Sequence, residues 1–401
     1  MKKGRVEVYS QRLFKLGDQA SPIRELFNYG QEQARILGPD KVFDFTIGNP
    51  SIPLPDVLTE ALEDIIKECD PVALHSYSVS AGHPSARKAV ADNLNERFGT
   101  NYGPQNLYFT CGAAAALCAT FAALTYDENS EFIALAPYFP EYHNFVETKG
   151  GKFVAVANAP DFRLNLEALE AAINPHTQAV IVNSPNNPSG KVYSEEEIKD
   201  LARLLERKSK EYNKPIYIVT DEPYRELVYG GLKVPFIPNY YRDTIVCYSY
   251  SKLYSLPGER IGYVLVPPEL TDSESVYKAI AGAARTQGYV CAPVLFQRLI
   301  ERYPDFPVDF SLYELNREKL STSLKEIGYE CVEPEGAFYL FLKAPSGDGS
   351  EFSKLAKEKN VLVVPGVGFG CRDYVRVSYC VPTERIERAM PLFAELYQAS
   401  K

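Results

Sequence analysis

Nowhere in this chain do apolar residues run on for the roughly 20 positions that a membrane-spanning helix needs, so no span is expected. Basic residues are the minority: 43 Lys and Arg against 52 Asp and Glu leave a formal net charge of -9. Nucleic acid and anionic lipid bind basic surfaces, so neither is expected as a partner. The eight cysteines include no Cys-x-x-Cys pair and no Cys/His cluster at metal spacing, so no metal site is expected. Most read as small apolar core residues of a reducing compartment. The first ten residues carry basic side chains but lead into no apolar stretch. A secretory signal is therefore not expected, and a cytoplasmic location is.

What is present is an ordinary globular composition, 45% hydrophobic and 24% charged, over 401 residues. Single cores stop growing at about 250 to 300 residues, so two domains are expected. Apolar positions at helical spacing from Ser21 to Leu37 end at Gly38-Pro39. Short apolar runs at 132–136, 153–156, 179–183, 216–220, 245–248 and 263–266 alternate with helical patterns such as 195–210. Nearly continuous apolar strands separated by helices indicate a largely parallel sheet covered on both faces. Chemistry in such sheets collects at the carboxyl ends of the strands. Beyond about Val276, helices mixed with strands near 329–332, 338–342, 361–364 and 374–379 read as a smaller α+β domain.

One strand end stands out. Thr244-Ile-Val-Cys-Tyr-Ser249-Tyr-Ser-Lys252 delivers a lysine at the close of a buried run. Such a lysine either turns into water or is held desolvated, which lowers its pKa and makes it a usable amine. Other segments end in residues of similar interest. Leu107-Tyr-Phe-Thr-Cys-Gly112-Ala-Ala-Ala-Ala is a strand, a glycine turn and a helix start, with free N–H groups that suit a phosphate or simply a tight turn. Asn183-Ser-Pro-Asn-Asn187-Pro188-Ser-Gly190 is a rigid loop that fixes a neutral amide. Asp221, in Asp221-Glu-Pro-Tyr224, is a carboxylate at a buried strand end, costly unless a cation meets it. Arg376 alternates with apolar neighbours, so its planar fork points inward to a carboxylate, whether a ligand's or the protein's own.

Ser249-x-x-Lys252 followed by Arg260 closely resembles the lysine segment of the class I and II aminotransferases, fold type I enzymes that use pyridoxal 5'-phosphate. The Asn-x-Pro-x-Asn-Pro-x-Gly loop is a second family signature, and the motifs from Gly48 to Arg376 follow the family's order. The resemblance implies that Lys252 forms a Schiff base with the cofactor aldehyde and later acts as general base. It implies that Ser249, Arg260 and the amides of Ala113 and Ala114 hold the phosphate, with Tyr77 reaching across from a second subunit. It implies that Phe139 stacks on the pyridine ring, that Asp221 keeps the ring nitrogen protonated, and that Asn187 and Tyr224 contact O3'. Substrate binding falls to Gly48, Asn187 and Arg376, the last for the α-carboxylate. Read without the family, Gly48 is turn punctuation, Tyr77 a surface loop residue and Phe139 core packing.

The resemblance thus implies a seven-stranded, mostly parallel α/β domain at 50–285 and a smaller α+β domain built from both chain ends, 1–49 and 286–401. The expected activity moves an amino group between an L-amino acid and a 2-oxo acid in a homodimer with shared sites. A C–S β-lyase has the same cofactor set. A silent ligand sensor is the reading from another class, and no basic helix-turn-helix segment at the N-terminus supports it. Arg24 and Arg285 are candidates for a second arginine that selects dicarboxylates.

Overall fold

The computed structural model describes residues 8–18 and 21–401; residues 1–7 of the expected N-terminal arm lie outside them. The large sheet has seven strands in the spatial order Leu107–Thr110, Gly262–Leu265, Thr244–Ser249, Tyr217–Glu222, Thr177–Asn183, Glu131–Ala136 and Lys152–Ala157. Only Gly262–Leu265 runs against both its neighbours; the five strands from Thr244–Ser249 to Lys152–Ala157 pair in parallel. Alternation along each strand feeds two cores. Ile133, Val180 and Ile218 pack under the helix Glu195–Tyr212. Their chain neighbours Phe132, Ala179 and Val219 face the opposite layer, which contains the helix Gly112–Leu124. Both faces are covered, which is why these strands read as unbroken apolar runs.

Local chemistry sets the helix limits. Glu195–Tyr212 begins at a capping box, in which Ser194 Oγ accepts from the Glu197 amide and the Glu197 carboxylate accepts from the Ser194 amide. It ends at Asn213, which adopts a left-handed conformation. Ser21 caps Pro22–Leu37 by accepting from the Arg24 amide.

The smaller unit centres on an antiparallel sheet ordered Val364–Pro365, Tyr374–Ser378, Tyr339–Lys343 and Cys331–Val332. The helices Ser311–Ile327 and Thr383–Ala399 pack on each other beside it. The N-terminal strand Phe43–Asp44 pairs in parallel with Val361–Leu362, so both chain ends build this unit. The run expected as one strand at 361–364 is two strands in different sheets, parted at Val363. Ala292, Leu299 and Ile300 share an apolar cluster with Leu58, Val90 and Tyr263 of the large unit. The helix Val294–Arg302 is therefore packed against the large unit. Phe310 packs against both clusters.

Among the described residues no helix is long and apolar enough to cross a membrane, and no group of three His, Cys, Asp or Glu side chains could hold a metal.

Candidate active site

The parallel strands end in register. Asn183 lies beside Asp221, and Asp221 beside Cys247, two residues before Ser249. Three strands thus deliver a polar group to one edge of the sheet. The edge opens into a cleft completed by Gly48, Tyr339 and Arg376 of the small unit.

Lys252 sits at the centre of this cleft, half-buried. Its Nζ donates to the Gly48 carbonyl at 2.6 Å and lies 5.5 Å from the centre of the Phe338 ring. Burial lowers its pKa to about 8, and the positive Arg376 and Arg260 push the same way against the opposing influence of Cys380. Gly48 has no room for a side chain: a Cβ there would stand 1.7 Å from Tyr339 Oη.

Asp221 is buried, with a pKa raised to about 7 by desolvation. Its Oδ2 accepts from Tyr142 Oη at 2.6 Å. Its Oδ1 has no partner among the described residues. Asn183 Nδ2 donates to the Asp221 carbonyl at 2.8 Å, while Asn183 Oδ1 accepts from the Asn187 amide at 2.8 Å, which ties the proline-fixed loop to the strand. Tyr224 Oη lies 3.1 Å from Tyr339 Oη.

Arg376 is 2% exposed, yet its partners are neutral. Nη1 donates to Asn187 Oδ1 at 3.0 Å, Nη2 to the Thr46 carbonyl, and Nε to nothing described. The guanidinium lies over Tyr339, 4.4 Å from the ring centre. No salt bridge among the described residues accounts for it.

The remaining expected residues gather at the other end of the cleft. Ala113 and Ala114 form the first turn of Gly112–Leu124, whose N-terminus has no side-chain cap. Arg260, at φ 55, donates from Nη2 to the Cys111 carbonyl at 3.2 Å. It crosses so close to this helix start that a Cβ on Gly112 would meet Nη2 at 2.7 Å. Ser249 Oγ lies 2.7 Å from Ser251 Oγ nearby, and Phe139 lines the cleft wall. Tyr77 is not part of this lining; it is 83% exposed. Arg24 and Arg285 are exposed and also lie outside it.

Sequence reasoning missed Tyr339, Tyr142 and Ile23, which line or brace the cleft. An aromatic residue in an apolar pattern looks the same whether it packs a core or supports a site. The one available signal for Tyr142 was its place three residues after Phe139, one helical turn away.

The chain belongs to the aminotransferase class I and II family, whose model matches residues 40–391. A probable aspartate aminotransferase of Methanocaldococcus jannaschii is 31% identical over 392 residues, 94% of this chain and 97% of that protein. An aromatic-amino-acid aminotransferase of Thermococcus litoralis is 29% identical over 95% of this chain and 96% of that protein. Among solved structures, an amino transferase from Eubacterium rectale is 50% identical and superposes with a TM-score of 0.95 over 98% of this chain and 100% of that one. This protein is accordingly an aminotransferase: it moves an amino group between an amino acid and a 2-oxo acid.

Proposed function

We propose that the cleft binds pyridoxal 5'-phosphate and an α-amino acid side by side, and that Lys252 moves the proton between them. The observation that carries this is a pair of unmet polar groups in its lining. Asp221 Oδ1 is a buried acceptor that lacks a donor, and Arg376 Nε a buried donor that lacks an acceptor. Unpaired buried polar groups are costly, so each is expected to meet a ligand atom. A protonated ring nitrogen suits the first and a substrate carboxylate the second.

The phosphate belongs at the uncapped start of Gly112–Leu124, where the amides of Ala113 and Ala114 point outward and the helix dipole favours an anion. Arg260 supplies the balancing positive charge and Ser249 a hydroxyl. Phe139 forms a flat apolar wall for the ring. Asn187 and Tyr224 line the same cleft and would donate to a phenolate oxygen, and Arg376, bonded to Asn187, would link that contact to the carboxylate site.

When bound, the cofactor supplies an electron sink that stabilises negative charge at the substrate Cα. The protein provides the base. With a pKa near 8, the Lys252 amine is partly neutral at neutral pH, so it could take a proton from the substrate Cα and deliver it to the cofactor carbon. Its bond to the Gly48 carbonyl fixes it on one side of the cleft. Gly48 also offers backbone to the carboxylate beside Arg376.

The same reading makes the enzyme a homodimer. Tyr77 is exposed and does not line its own cleft, and we propose that it completes the phosphate site of a second copy. We also propose that a large unit built around 50–285 is flanked by a smaller one made from the two chain ends, with the chain passing to the smaller unit near Phe310.

Amino donors added one at a time to protein loaded with the cofactor should change its absorption spectrum, with release of the matching 2-oxo acid. Release of ammonia and a thiol from cysteine conjugates, without amino transfer, would favour the β-lyase. No spectral change with any donor would return the chain to a silent binding role.

A further inference from the structure

The two carboxylate oxygens of Asp221 are in unequal situations. Oδ2 accepts from Tyr142 Oη at 2.6 Å, while Oδ1 is buried without a described partner. Tyr142 comes from the short helix Glu141–Glu147 and is 1% exposed. Its ring meets Phe139 edge-on, with centres 5.6 Å apart and planes at 80°. One side chain therefore braces both the carboxylate and the aromatic wall of the cleft.

We propose that Tyr142 is a positioning residue that clamps Asp221 Oδ2, leaving Oδ1 alone to face the cleft as an ionised acceptor for a cationic N–H. This rests on the reading above, in which that N–H is the ring nitrogen of the cofactor. A hydroxyl donor favours the charged carboxylate over the acid. Asp221 needs such help, because burial pushes it toward the neutral form and Glu222, next to it on the strand, pushes the same way. Glu222 is itself bonded to Arg225. Cys247 on the adjacent strand and Tyr224 beyond the strand end are the other titratable neighbours, and burial keeps both in their neutral forms. Lys252 and the Arg376 guanidinium line the same cleft. Tyr142 is also held neutral by burial and by Asp221, so it remains a donor.

Tyr142→Phe removes one oxygen and keeps the ring against Phe139. The first readout is the carboxyl stretch of Asp221 in the full-length apoprotein, followed by difference infrared spectroscopy against pH and assigned with Asp221→Asn. Loss of a charge-assisted hydrogen bond should raise the titration midpoint by about one to two pH units. Tyr142→His, which keeps a donor, should bring the midpoint back toward wild type. The second readout is the 15N shift of ring-labelled pyridoxal phosphate bound to each variant, which should move toward the unprotonated ring in Tyr142→Phe. Tyr193→Phe serves as the comparison, since Tyr193 is a buried tyrosine bonded to Asn158 and remote from Asp221 in the hydrogen-bond network. An unmoved midpoint in Tyr142→Phe, or an equal shift in Tyr193→Phe, would overturn the clamp while leaving the cofactor reading intact. Failure of wild-type protein to bind the labelled cofactor would remove that reading, and the clamp's proposed role with it.

Discussion

Replacing Arg376 by lysine separates charge from geometry. A guanidinium has five N–H donors in a planar fork. Here Nη1 is bonded to Asn187 Oδ1 and Nη2 to the Thr46 carbonyl, and the partnerless Nε leaves part of the fork for a carboxylate. Lysine keeps the positive charge but offers three donors on a flexible stem, and it cannot reproduce the fork beside Asn187. The expected loss is that of one charge-assisted hydrogen bond, about 1.5 to 3 kcal/mol. At about 1.4 kcal/mol per tenfold, that is a fall in kcat/KM of about tenfold to about a hundredfold for an amino acid donor. An amine donor that lacks the carboxylate controls for any general disturbance of the cleft, because among the described residues Arg376 makes no charged contact that it would lose. Both donors can be followed by single-turnover absorbance of the bound cofactor. The ratio of the two losses carries the result. If amino acid and amine suffer alike, Arg376 supports the cleft and does not bind the substrate.

Three further expectations follow from the geometry. Gly48→Ala would drive a Cβ to 1.7 Å from Tyr339 Oη, so Tyr339 must move and disturb its contacts with Tyr224 and Arg376; stability should fall by ~1–3 kcal/mol in denaturant titration, with activity falling too, and unchanged values for both would contradict the packing described. Because only the neutral amine attacks an aldehyde, the rate at which apoprotein takes up pyridoxal phosphate should rise with pH through a midpoint near 8, whereas a midpoint near the ordinary 10.5 would mean that Lys252 is not desolvated. A purified mixed dimer of one Tyr77→Phe chain and one Lys252→Ala chain should keep about half the wild-type activity, since one site carries both lesions and the other neither; activity no better than the Tyr77→Phe parent allows would place Tyr77 within its own subunit.

The site was legible in the sequence where chemistry broke a pattern. Lys252, Asp221 and Arg376 are charges in apolar surroundings, and such residues stand out against strands that otherwise read as buried. The parallel sheet was legible because runs covered on both faces lose the alternation of half-exposed strands. Strand direction was not: nothing in Gly262–Leu265 says that it opposes its neighbours, because the hairpin-like return from Ser249 depends on where the chain packs. The 361–364 run gave no sign that Val363 parts two sheets, since Val361 and Val364 are equally apolar and equally buried. Tyr142 and Tyr339 were silent for a similar reason: a phenol in a core and a phenol that braces a carboxylate or a glycine share the same pattern. The helix Val294–Arg302 was equally hard to place, because its apolar face fits either unit and only its contacts with Leu58 and Val90 decide between them.

The most direct measurement is chemical. Protein incubated with pyridoxal phosphate, reduced with borohydride and digested should yield one peptide carrying the reduced cofactor on Lys252, and Lys252→Ala should yield none. A stable label on another lysine, with Lys252 unmodified, would contradict the placement of the base on which the whole account of the cleft depends.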